Sequence, residues 1–145
     1  MQRIWGSLLC MSILLLGGCQ LMPHAQGLKS SHWQAQQYQR QDQVEVQWKD
    51  KSFSFLLYQQ QKGPQLELVG LGLTGQPLFQ LIFDGQRVKV QQRIEAMRLL
   101  PFEFVARDIL FATYPNFAQL GQEAVRVDHT ANQQTVFIGQ QAVLL

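Results

Sequence analysis

Leu66-Glu67-Leu68-Val69-Gly70-Leu71-Gly72-Leu73, then Thr74-Gly75-Gln76-Pro77, then Leu78-Phe79-Gln80-Leu81-Ile82-Phe83 and Asp84-Gly85: this run from residue 66 to 85 decides the fold. Two apolar stretches of strand length flank a Gly- and Pro-bearing break, and Asp-Gly follows the second. Phe79, Leu81 and Phe83 alternate with Leu78, Gln80 and Ile82, the period of a strand. Asp84-Gly85 supplies the left-handed backbone that a tight hairpin turn requires. The first stretch is irregular. Leu66 and Leu68 lie on even positions, Val69, Leu71 and Leu73 on odd ones, and Gly70 and Gly72 complete the even face. Either a bulge falls near Leu68-Val69, or both faces are covered. Two glycines on one face leave a groove for a helix or an acyl chain.

Working outward, the same grammar repeats. Val44, Val46 and Trp48 alternate with Glu45, Gln47 and Lys49; after Asp50-Lys51, Phe53, Phe55 and Leu57 share a face; Lys62-Gly63-Pro64 marks a turn. Beyond Gly85, Val88 and Val90 alternate in a returning strand. These strands form an antiparallel meander. Pro101 opens a different segment, because proline is tolerated in the first helical turn where its missing N–H costs nothing. Phe102, Val105, Ile109 and Ala112 recur at helical spacing, with Ala106, Leu110 and Thr113 widening the stripe, so a helix is predicted over 102–113, stopped by Tyr114-Pro115-Asn116. Glu103–Arg107 at i,i+4, or Arg107–Asp108, reads as a surface pair. Two further strands are expected over 124–128 and 135–138. The fold class is therefore α+β: an antiparallel sheet with one main helix.

The chain has 145 residues, enough for one domain with a modest core. It is 46% hydrophobic and 15% charged, against about 25% charged in an average domain. Twenty-five glutamines supply much of the missing polarity. The net charge of +2 is scattered, which argues against a nucleic-acid binder with its concentrated basic face. The two cysteines, Cys10 and Cys19, both lie near the N-terminus, so the remainder holds no internal disulfide and no cysteine-based zinc site.

That N-terminus reads as a processing signal. Met1-Gln2-Arg3 precedes an uncharged run from Ile4 to Gly18, shorter than the roughly 20 residues a membrane span needs. Leu16-Gly17-Gly18-Cys19 resembles a bacterial lipobox, which implies cleavage between Gly18 and Cys19, a diacylglycerol thioether on Cys19 and an acyl group such as palmitate on its new amino terminus. Gln20 is similar to the residue that follows the cysteine in outer-membrane lipoproteins. Residues 1–18 are thus a lipoprotein signal peptide, 19–43 a lipidated N-terminus and tether, and 44–145 the sheet-plus-helix domain, facing the periplasm from the outer membrane.

Little else nominates chemistry. His24, His32 and His129 form no ligand motif, so no metal is expected, and His129 beside Asp128 reads as a turn residue. No nucleophile has a spaced base, and there is no phosphate loop. A non-enzymatic protein without cofactor is expected. Nine phenylalanines lie mostly on strands and helix. Most simply they fill the core; the functional reading is an apolar pocket lined by Phe53, Phe55, Leu57, Gly70, Gly72, Phe79, Leu81, Phe83, Val105 and Ile109.

The stretch 66–85, with Leu100-Pro101-Phe102-Glu103 and Arg107 to Pro115, resembles an uncharacterised family of Gram-negative lipoproteins, over roughly residues 44–138. That family often carries tryptophan where Tyr114 stands. Its members are frequently encoded with aryl-polyene lipid biosynthesis genes and are similar in fold to the LolA/LolB carriers, whose half-barrel sheet and covering helices hold acyl chains. The resemblance implies a curved antiparallel sheet, a half-barrel covered by one main helix, that binds a lipid or polyene acyl chain during envelope assembly. Relative to such members this chain stops early, so the sheet is expected to lack its last strands. The alternative is an adaptor lipoprotein that docks a protein partner without a small ligand.

Overall fold

A computed structural model describes residues 24–144. The signal segment, the lipobox with Gly18 and Cys19, and Gln20 lie outside the described residues. Five strands, β1 (Gln39–Trp48), β2 (Lys51–Lys62), β3 (Gln65–Leu71), β4 (Pro77–Phe83) and β5 (Val88–Arg93), form an antiparallel meander in chain order. Helix α1 (Phe102–Thr113) follows, then β6 (Val125–Thr130), β7 (Gln133–Ile138) and β8 (Gln141–Leu144) in a second, three-stranded sheet. The sheets do not join, so the five-stranded sheet is open, with β1 and β5 at its edges. The architecture is α+β and sheet-dominated.

The pairing register explains the inner face. Leu57 stands opposite Gly70, Gln59 opposite Leu68, Leu68 opposite Leu81, and Gly70 opposite Phe79. Directly opposed residues share a face, so the even positions of β3 belong to the core. Phe55, Leu57, Leu66, Leu68, Phe79, Leu81 and Phe83 are each at most 1% exposed. Burying such a side chain stabilises the fold by about 1.5–3 kcal/mol. Of the two readings of this strand, a bulge near Leu68-Val69 or cover on both faces, the first is corrected: the ladder is regular there and the register shift lies between Gly70 and Leu71, while Leu73 stands outside the strand, 61% exposed.

Helix α1 has the predicted bounds. The Pro101 carbonyl accepts from the N–H groups of Phe104 (3.0 Å) and Val105 (3.2 Å). At the other end Tyr114 turns extended, ψ 127°, as a residue before proline must. Phe102, Val105, Ala106, Ile109 and Leu110 are buried and belong to one core with the inner sheet face and with Val136 and Ile138 of β7.

The largest departure from expectation precedes β1. Residues read as part of a tether are packed. Ala25 and Leu28 are buried at 5% and 2% exposure. The Ser30 N–H donates to the Gly85 carbonyl (2.8 Å) and the His32 N–H to the Leu120 carbonyl (3.0 Å). Trp33 Nε1 donates to the Pro64 carbonyl (2.7 Å). The segment 24–33 is thus a strap across the molecule. The first strand begins at Gln39, ahead of the apolar alternation at Val44 and within the glutamine-rich stretch 34–43 that reads as either a loop or the start of that strand, because the Gln39–Gln43 backbone completes the ladder with Leu56–Gln60.

Candidate functional site: grooves beside the helix

The space between sheet and helix is filled. Phe55 and Phe79 meet edge to face, centroids 5.0 Å apart, and Phe79 meets Phe102 at 5.3 Å. Gly70 is covered by the Phe79 ring, which a Cβ would strike, and Gly72 by the Gln76 side chain. Of the residues expected to line a pocket, Phe55, Leu57, Gly70, Phe79, Leu81 and Phe83 therefore belong to a packed interior, and Gly72 sits under its own turn. Phe53, Val105 and Ile109 do reach open grooves.

Two grooves flank α1, and none of the residues expected to line a pocket reaches the larger of them. Between β5 and the N-terminal turn of the helix lies one of about 450 Å³, within the usual range for small-ligand sites. Its walls are Val88 and Val90 of β5, Leu99, Pro101 and Phe104, and its floor is Leu100 and Phe102. Leu99 is 71% exposed. Arg93, Arg98, His24 and Glu103 stand at the margins. Between edge strand β1 and the helix lies a second groove of about 310 Å³, lined by Val44, Val46, Val105, Ile109 and Ala112. Phe53 lines a third, of about 440 Å³, together with Lys49, Lys51, Leu99 and Leu100. The groove on the β5 side is the most apolar surface of the three.

The polar groups nearby are structural. Gln59, 1% exposed on the inner face of β2, donates from Nε2 to Thr113 Oγ1 (2.9 Å). Tyr38 donates to the Thr113 carbonyl (3.1 Å) and Tyr114 to Gln61 Oε1 (3.0 Å). Burial pushes both phenols above their ordinary range, so they remain proton donors. The network pins the end of α1 to β2. Arg107 and Asp108 pair at 2.8 Å, as one reading of the helix expects, but Arg107 is buried at 8% exposure rather than on the surface. Its Nη1 donates to the Gln26 carbonyl (3.2 Å), and its guanidinium lies 5.1 Å from the Phe104 ring centre. Glu103 pairs not with Arg107 but with the strap: Oε2 accepts from the Ala25 N–H (3.2 Å) and lies 3.4 Å from His24 Nδ1. Burial raises the Asp108 carboxyl pKa, against the opposing effect of Arg107.

Among the described residues no three His, Cys, Asp or Glu side chains converge on a possible metal position. His129 lies in strand β6, opposite Gln134, rather than in the turn. No helix of the described residues is long and apolar enough to cross a membrane.

A family model described as a protein of unknown function, DUF3261, matches residues 39–144. The chain belongs to the DUF3261 family. No curated protein and no solved structure matches it. The DUF3261 match begins at the first residue of β1 and ends with β8, so both sheets and the helix lie within the family domain. The strap before Gln39 precedes the matched region, although it packs into the same core.

The β5-side groove was only partly visible in the sequence. Val88 and Val90 announce a strand face, and Leu99-Leu100 stands out before Pro101. Nothing local says that Leu99 faces solvent, or that Arg93 joins the two valines.

Proposed function

We propose that this DUF3261 protein is an outer-membrane lipoprotein of the periplasmic face, anchored through Cys19, that takes a lipid or polyene acyl chain against its helix during envelope assembly. One observation carries the ligand part: the open, predominantly apolar groove of about 450 Å³ between β5 and α1, with Leu99 left in solvent at its lip. An isolated exposed leucine needs no explanation, but one that continues an apolar channel does. The filled interior moves the proposed chain path from between sheet and helix to the flank of the helix. Kinship with the LolA/LolB half-barrel belongs to the same reading; the antiparallel order and the helix against the inner face support it. The test is titration of the protein with fluorescent acyl and polyene probes. Saturable binding is expected, and unsaturable or absent binding overturns the reading.

The adaptor reading rests on a different surface. The outward face of β2–β4 carries Leu56, Val69, Leu71 and Ile82, all half-buried, beside Tyr58 at 38% exposure. A solvent face of an antiparallel sheet is normally polar. If a protein partner seats there, Leu71→Lys abolishes its capture while leaving probe binding in the helix-side groove intact.

A further inference from the structure

Edge strand β5 contains a feature that its sequence alone conceals. Phe83 stands opposite Val88, and Leu81 opposite Val90, but Gln80 stands opposite Gln92 and Phe79 opposite Arg93. Gln91 is therefore an extra residue, a bulge that shifts the alternation by one. Without it, Gln92 would follow Val88 and Val90 on the inner face. With it, Arg93 does. The core-facing row of an edge strand thus reads Val, Val, Arg, and all three line the β5-side groove.

The charges around Arg93 are differently engaged. Arg98, on the lip, holds Glu95 at 3.1 Å. Glu103, also at the margin, is held by His24 and by the Ala25 N–H. Arg93 makes no ion pair among the described residues. The groove thus offers an apolar channel with an exposed guanidinium at its margin that has no ion-pair partner among the described residues. A guanidinium matches a carboxylate with two parallel N–H···O bonds.

We propose that the β5-side groove accepts a single-chain amphiphile with a carboxylate head, the head on Arg93 and the chain along Val88, Val90, Leu99 and Phe104. The inference rests on the lipid-handling reading and specifies its ligand class. The anchor acyl groups proposed on Cys19 carry no free acid, so the ligand is a separate molecule. The bulge sets the chemistry: it places the cation at the end of the apolar row, where a chain's polar end must come out.

The test uses the full-length lipoprotein in neutral phospholipid vesicles. A palmitic acid analogue with a mid-chain diazirine and the matching fatty alcohol serve as probes, and labelled peptides are mapped by mass spectrometry. The acid-to-alcohol labelling ratio is compared between the native protein and Arg93→Gln, so that probe partition into the vesicle cancels. Labelling within residues 88–104 is expected. The ratio should fall about threefold to fivefold in Arg93→Gln, as suits a solvent-screened pair worth up to about 1 kcal/mol, and Arg93→Lys should recover part of it. An unchanged ratio overturns the headgroup assignment while leaving the groove as a chain site. Arg93 would then be an inward charge that deters edge pairing. Labelling confined to the Leu99 turn, or none, overturns both the headgroup assignment and the groove reading, the first pattern being that of a bilayer surface contact.

Discussion

The Phe79 ring occupies the space that Gly70, its partner across the β3–β4 ladder, leaves empty. A Cβ on Gly70 would overlap the ring, and Phe79 is wedged from other sides by Phe55 and Phe102. The pair closes the inner face at the point where an acyl chain would otherwise enter. Gly70→Ala should therefore destabilise the domain by about 1–3 kcal/mol, the usual cost of overpacking. Urea denaturation measures it. The double variant Gly70→Ala/Phe79→Leu should recover part of the loss, because residues in contact are not additive. Equal losses in single and double variants would show that the ring is not the obstacle.

Arg107 ties the strap to the helix through the Gln26 carbonyl. Arg107→Met keeps the apolar stem against Phe104 but removes the guanidinium. A hydrogen bond to a charged group contributes about 1.5–3 kcal/mol, so a loss of that order is expected. Its distinctive sign is local. Amide hydrogen exchange should accelerate across residues 24–33 before it does so in β2–β4. Uniform acceleration would mean that the strap and the sheet open together.

Asp84 orders the β4–β5 turn. Its Oδ1 accepts from the N–H groups of Gln86 and Arg87, both at 2.9 Å. Gly85, at φ +92°, passes so close to Trp33 that a Cβ would stand 2.5 Å from the indole side chain. Partial burial works to raise the Asp84 pKa, but the two backbone donors and the Arg87 charge outweigh it, and the carboxyl titrates below its ordinary 3.8. A carboxyl lowered in the folded state adds stability above 3.8 and loses it as pH falls through the folded value. Thermal melts of native protein and Asp84→Asn should differ most at neutral pH and converge below 3.8. A difference independent of pH would rule out the charge as the source.

These relationships divide by how local their cause is. The strands of the meander, the Asp84-Gly85 turn and the helix bounded by Pro101 and Pro115 are written in neighbouring residues, through period and breaker chemistry, and were legible. The glycine face of β3 was visible too, but what fills it depends on register, since Phe79 reaches Gly70 only through pairing with the next strand. The strap has no period, and its partners Gly85, Glu103 and Leu120 lie far along the chain. A stretch satisfied by distant partners looks the same in sequence as one satisfied by water. The candidate groove suffered most from this. The apolar alternation of β5 was plain, but the Gln91 bulge that turns Arg93 inward leaves no local mark.

Leu99 separates the ligand proposal from the fold. It is 71% exposed and adds little to the core. Leu99→Asp should leave stability within about 0.5 kcal/mol of the native protein, as surface changes usually do. It places a like charge where a carboxylate-headed chain would lie and removes an apolar wall. Affinity for a fluorescent fatty acid should fall about tenfold, equivalent to about 1.4 kcal/mol. Unchanged affinity in a fully folded variant would take Leu99 out of the site.

The anchor is tested by the two cysteines against each other. A buried methylene contributes about 0.8 kcal/mol, and a single acyl chain holds a protein to a bilayer only marginally. A diacylglyceryl group with an added amide-linked chain exceeds that by far and makes other anchors unnecessary. The proposed processing discards Cys10 and modifies Cys19. Cells fed an alkynyl palmitate should label the native protein and Cys10→Ala equally, and the label should resist neutral hydroxylamine, because glycerol oxyesters and the amide survive it whereas a thioester does not. Cys19→Ala should take up none. Label that persists in Cys19→Ala, or that neutral hydroxylamine removes, would place the acyl group elsewhere and overturn the anchor.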